Sequence, residues 1–235
     1  MSSEQSELRQ RARLLLLAAG RGDADAQAHL GQILLDGSGI ARDPKLALTW
    51  FRIAAAQNNP MALNMVGRCL ENGWGCDIDL VEAARHFQRA AALGLDWGLY
   101  NYAQLLTRGR GVAQDMAQAF RLFVQAAEMG HAKSMNLLGR FYAEGVVVPA
   151  DQAKARELYE RAALGGDFRG QYNHAAALAE EGRLNEAIAW LRKALTTATP
   201  GFIESARQVL LNSTLPGIRE VAGEYQAMQR QMENA

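Results

Sequence analysis

The chain repeats itself every 36 residues, and no other feature restricts its fold as tightly. Gly31, Gly67, Ala103, Gly139 and Ala175 are spaced 36 apart. Gly37, Gly73, Gly109 and Gly145 keep the same spacing, as do Asp43, Asp79, Asp115 and Asp151. Ala47, Ala83, Ala119 and Ala155 form a further column, and Phe51, Phe87, Phe123 and Tyr159 form a column of rings. Such periodicity marks a solenoid, in which each unit buries its apolar face only against its neighbours.

Each column has a local reason. Apolar residues in each half-repeat recur at i, i+3, i+4 and i+7, the period of an amphipathic helix. Gly37 and its equivalents stand just past the first helix of a repeat, where a left-handed cap suits glycine. The aspartates stand where the second helix needs an N-cap, and Pro44 takes its first position. Glu82 and Gln118 fall three residues after their aspartates, as in a capping box. The glycine or alanine of the first helix lets the second approach closely, opposite Ala47 and its equivalents. The rings are expected to fill the space between neighbouring hairpins. The expected fold class is all-α, a solenoid of antiparallel helix pairs with about thirteen helices.

Residues 5–22 read as an N-terminal half-repeat, because Ala18 and Ala19 keep register with Ala54 and Ala55. Full repeats span 24–58, 59–95, 96–131 and 132–167. Residues 168–200 form a degenerate repeat without the glycine loop, ended by Pro200. Residues 201–235 carry two helices, near 202–212 and 217–232, expected to cap the stack. All of 1–235 is expected to form one domain. Arg9, Arg11 and Arg13 ahead of Leu14 to Ala19 faintly mimic a secretory leader. The apolar stretch is too short and Glu4 and Glu7 interrupt the basic region, so a structural helix is expected there.

The strings "AQAHLGQILLDGSGIARDPKLALTWFRIAAAQN" and "WGLYNYAQLLTRGRGVAQDMAQAFRLFVQAAEMGH" resemble the Sel1-like repeat family, a relative of tetratricopeptide repeats. The likeness covers residues 24–167, with 168–200 as a degenerate copy. It implies a right-handed superhelical solenoid with a concave groove and adaptor or assembly roles rather than one chemistry. The disulfides of the family's secreted members would fall near Ala55 and Leu63, and this chain has no cysteine there.

The chain carries 25 Lys plus Arg and 25 Asp plus Glu, so its formal net charge is zero. General nucleic-acid or membrane-surface binding, driven by clustered positive charge, is therefore disfavoured. No apolar run is long enough to span a bilayer, and a cytoplasmic monomer is expected. Cys69 and Cys76 occupy apolar columns and read as core residues. His29, His86, His131 and His174 share no metal-ligand spacing, and His131 reads as an exposed turn residue. The GSG, GWG and GRG loops lack the preceding strand of a phosphate-binding loop. No catalytic residue, metal or cofactor is assigned. Trp74, in one such loop, either faces solvent or covers the loop's apolar residue.

In a tetratricopeptide-type stack the first helices line the groove. By that resemblance the groove carries Asn64, Arg68, Trp97, Tyr100, Gln104, Arg108, Lys133, Asn136, Arg140, Arg169 and Tyr172. The strings "NMVGR" and "NLLGR" each place Asn and Arg four apart, on one helix face. Glu71, Glu144 and Glu180 lie nearby. Arg grips carboxylates with a bidentate fork, and Asn can bond a peptide backbone. The expected function is a non-catalytic adaptor that holds an acidic protein or peptide segment. The alternatives are an accessory protein or cryptic hydrolase acting on a cell-wall or carbohydrate substrate, and nucleic-acid binding through a basic groove. Neither finds a paired catalytic carboxylate or a repeated base-reading pattern in the columns.

Overall fold

The structure is a computed structural model that describes residues 3–233, with thirteen α-helices and no strand among the described residues. In chain order they are α1 (Ser3–Gly20), α2 (Ala24–Asp36), α3 (Pro44–Ala56), α4 (Pro60–Asn72), α5 (Leu80–Ala92), α6 (Asp96–Arg108) and α7 (Met116–Glu128). There follow α8 (Ala132–Glu144), α9 (Gln152–Leu164), α10 (Phe168–Glu180), α11 (Leu184–Leu195), α12 (Pro200–Leu211) and α13 (Pro216–Glu233). They group into two compact units, Met1–Gln125 and Ala126–Ala235.

In the first unit α2 packs on α3 and α4 on α5, with α1 laid against α2. The repeat columns explain the hairpins. A Cβ on Gly31 or Gly67 would lie 2.6 Å from the ring of Phe51 or Phe87. The ring is therefore seated on the glycine of its own hairpin and is fully buried. Gly37, Gly73 and Gly109 end their helices with φ of 75°, 72° and 63°, the left-handed cap. Asp43 and Asp79 accept the backbone N–H of Leu46 and Glu82 at 3.0 and 2.9 Å. The loop of one repeat also touches the repeat before it. Gly75 has φ +78° and lies so close to the Pro44 carbonyl that a Cβ would collide with it.

In the second unit α8 pairs with α9, α10 with α11 and α12 with α13, and α13 also packs on α11. Two expectations are corrected here. His131 is buried, not exposed. Its Nδ1 accepts the Ser134 N–H and so caps α8, a role that Asp23, Asn59 and Asp167 fill in their own repeats. Pro200 does not merely stop the preceding helix: it opens α12, as Pro216 opens α13. Helices α11 to α13 share one core, in which Ile203 and Tyr225 are fully buried. The Tyr225 hydroxyl donates to the Leu191 carbonyl at 2.8 Å. No helix among the described residues is long and apolar enough to cross a membrane.

Candidate interaction surface

In the first unit, α4 and α6 lie side by side. The Asn101 amide donates to Asn64 Oδ1 at 2.8 Å near one end. Glu71 pairs with Arg110 at 3.5 Å near the other. Between these pins, Arg68 lies one turn beyond Asn64, and Gln104 and Arg108 lie one and two turns beyond Asn101. The Arg68 guanidinium sits 5.0 Å over the Trp74 ring. Trp74 is thus half-buried and holds an arginine, which neither expectation for it had anticipated. Trp97 meets Tyr100 edge-on at 5.9 Å, and the Gln104 amide donates to the Tyr100 hydroxyl at 3.2 Å. Arg108 is exposed. Among the described residues no carboxylate pairs with Arg68 or Arg108.

In the second unit the same pattern recurs 72 residues on, with different satisfaction. The Asn173 amide donates to Asn136 Oδ1 at 2.7 Å, which pins α8 beside α10. Arg140 pairs with Glu144 of its own helix at 3.1 Å. Glu180 and Glu181 are both bound by Arg156. Arg169 lies over the rings of Phe168 and Phe202, at 4.5 and 5.6 Å. Tyr172 packs edge-on against Phe202 at 5.4 Å, and burial pushes its phenol pKa up. Lys133 is half-buried.

Asn64 and Asn136 are only 3% exposed. They fasten neighbouring first helices together and do not present themselves to a ligand, as their place in the groove pattern had suggested. Their donors, Asn101 and Asn173, were not singled out from the sequence. The doubled signal was present: "YN" occurs at 100–101 and again at 172–173, matching the recurrence of "NMVGR" as "NLLGR". Cys69 is fully buried, and burial pushes its thiol up to about 12. Among the described residues no group of His, Cys, Asp or Glu is arranged to hold a metal ion.

Capped helical hairpins, glycine-seated rings and neighbouring first helices fastened by buried amides define a helical-repeat protein. The chain belongs to the Sel1 repeat family, whose pattern matches residues 24–59, 60–95, 98–131, 132–167 and 170–196. It is similar to a Sel1 repeat protein from Oxalobacter formigenes, with 25% identity and a TM-score of 0.75 over 90% of this chain and 89% of that one. It is also similar to a protective antigen of uropathogenic Escherichia coli with an SLR fold, at 25% identity and a TM-score of 0.70. That match covers 96% of this chain but 49% of the antigen. A putative Sel1 repeat protein from Klebsiella pneumoniae subsp. pneumoniae shares the fold at 22% identity and a TM-score of 0.57, over 84% of this chain and 98% of that one. No curated protein matches the chain. Sel1 repeat proteins commonly serve as scaffolds for protein–protein interaction.

Proposed function

We propose that the chain is a non-catalytic, cytoplasmic adaptor that acts as a monomer and binds an acidic segment of a partner protein on the face of its first helices. The observation that carries this reading is Arg68. Its guanidinium is stacked on Trp74, on a helix held by the Asn101–Asn64 and Arg110–Glu71 contacts, yet it has no carboxylate partner of its own among the described residues. A pre-oriented, unpaired arginine loses little side-chain freedom when it binds a carboxylate. Arg108 adds charge on the adjoining helix, and Trp97, Tyr100 and Gln104 add the aromatic and amide groups favoured at interaction surfaces. In the second unit Lys133, Arg169 and Tyr172 are candidates in their own right, separate from this patch. Arg140 is the weaker candidate there, because Glu144 already engages it.

The test is Arg68→Glu combined with Arg108→Glu in the full chain. Neither residue fills a core, so helix content and melting temperature should stay near wild type. Proteins captured from the native host by wild type should be lost from the double variant by at least tenfold. Retention of every specific partner at wild-type yield, with the fold intact, rules this face out as the site.

A further inference from the structure

A second surface lies away from the residues just described, on the outer helices of the first unit. A cavity of about 340 Å³ opens between α1, α2 and α3. Leu30 and Leu34 form its buried floor, Ile40 and Trp50 its walls, and Leu16 and Leu46 its mouth, with Arg13 at the rim. Leu16 and Leu46 are 52% and 43% exposed. Leu14, Leu17 and Ile53 are also exposed on the outer sides of α1 and α3.

The repeat itself supplies a control. Leu46, Trp50 and Ile53 share columns with Glu82, His86 and Arg89 of the next outer helix. Leu14 and Leu17 fall in the columns of Trp50 and Ile53. Thus α1 and α3 are apolar at outward positions where α5 is polar, although the hairpin packing is the same. Folding does not require apolar residues there, and contiguous exposed apolar surface marks contact sites.

Charge selects the occupant. Arg13 at the rim and Lys45, next to Leu46, are exposed, and no carboxylate pairs with either among the described residues. Asp43, the acid next to Lys45 in sequence, is engaged as the cap of α3. From this apolar cavity with Arg13 at its rim and Lys45 beside its mouth, we infer that the outer face of α1 and α3 docks an amphipathic helix of a partner protein, which inserts an aliphatic side chain between Leu16 and Leu46 and sets carboxylates against Arg13 and Lys45. A helix laid in a groove uses anchors at i, i+3, i+4 and i+7, and the charges flanking them set specificity.

The probe is a fluorescein-labelled peptide of about fifteen residues, with leucines at helical anchor spacing and glutamates elsewhere. Its control carries lysines in place of the glutamates. Fluorescence anisotropy should show saturable binding of the acidic peptide to the full chain and at least tenfold weaker binding of the basic one. Leu16→Glu with Leu46→Glu should weaken the acidic peptide at least tenfold. Arg13→Glu with Lys45→Glu, at exposed positions, should reverse the preference towards the basic peptide. Circular dichroism of each variant should match wild type. Equal binding of both peptides, or unchanged binding to Leu16→Glu with Leu46→Glu, overturns the proposal. So does a wild-type dimer in light scattering that this pair of substitutions converts to monomer, since a second copy would then cover the face. Arg68 and Arg108 are untouched, so failure here leaves the first surface standing.

Discussion

At the scale of single residues, burial separates groups that look equivalent in the sequence. Cys69 and Cys76 both occupy apolar columns, yet Cys69 is fully buried with its thiol pushed up to about 12, while Cys76 is half-buried. The thiolate is the reactive form. A maleimide at neutral pH should therefore modify Cys76 alone, and Cys69 only after denaturation, as read by intact mass. Rapid double labelling of the native chain would contradict the buried placement of Cys69. His86 gives a pH dependence. Burial, with the charges of Arg89 and Arg52, lowers its pKa below 6.5, against the opposing effect of Glu82. The folded chain thus resists a proton that the unfolded chain accepts. This contribution to stability is present above pH 6.5 and is lost as pH falls through the lowered folded value. His86→Gln should flatten the fall in urea midpoint on that acid side, and an unchanged slope would remove His86 as its source. Asn64 shows what sequence could not resolve. It and Arg68 share one helix face, but the short amide reaches only the neighbouring helix, where Asn101 takes it. The longer guanidinium extends past the contact to Trp74. The column places a residue on a face, and side-chain length decides whether it ends in the seam or outside it.

At the scale of elements, the loop glycines make the sharpest prediction. Gly75→Ala would force a left-handed alanine, which costs about 1–2 kcal/mol. It would also drive a Cβ into the Pro44 carbonyl, a backbone atom that cannot rotate away. The combined loss should be about 2–4 kcal/mol in urea denaturation. Gly223→Ala is the matched control. It lies in α13 with nothing within 4 Å of the added carbon and no positive φ, so it should stabilise the chain by about 0.5–1 kcal/mol. If both changes behave alike, the close approach of the Gly75 loop to α3 is wrong. The repeat helices were legible from sequence because an apolar period recurs with a terminating glycine on the first helices α2, α4, α6 and α8 and a capping aspartate on the second helices α3, α5 and α9. The first-helix caps were missed because that column is mixed: Asp23, Asn59, Leu95, His131 and Asp167 do not look like one position. The ring column reads as filling space between hairpins, and its seat on the glycine of its own hairpin is the part the column does not show. A period fixes which residues face inward, and only the crossing geometry fixes which glycine receives the ring.

At the scale of the whole molecule, a repeat array must end, and its last apolar face needs a cover. The fifth repeat lacks the glycine loop, and α11 directs Leu191, Ala194 and Leu195 into the core shared with α12 and α13. From α12 come Ile203, Ala206 and Leu210, and from α13 come Val221 and Tyr225. A chain ending at Pro200 would leave these α11 residues facing water. It should self-associate, read as a mass above monomer in light scattering, and bind more of a hydrophobic dye than the full chain. Tyr225→Ala separates loss of cover from loss of packing. It empties a fully buried site and removes the bond to the Leu191 carbonyl, but keeps both helices. By analogy with other large-to-small changes it should cost about 3–5 kcal/mol and stay monomeric below its melting temperature. A monomeric chain ending at Pro200, with the melting temperature of the full chain, would show that α12 and α13 cover nothing the fold requires. If instead Tyr225→Ala associates as readily as the truncation, the association arises from general destabilisation, and the two helices are no specific cap.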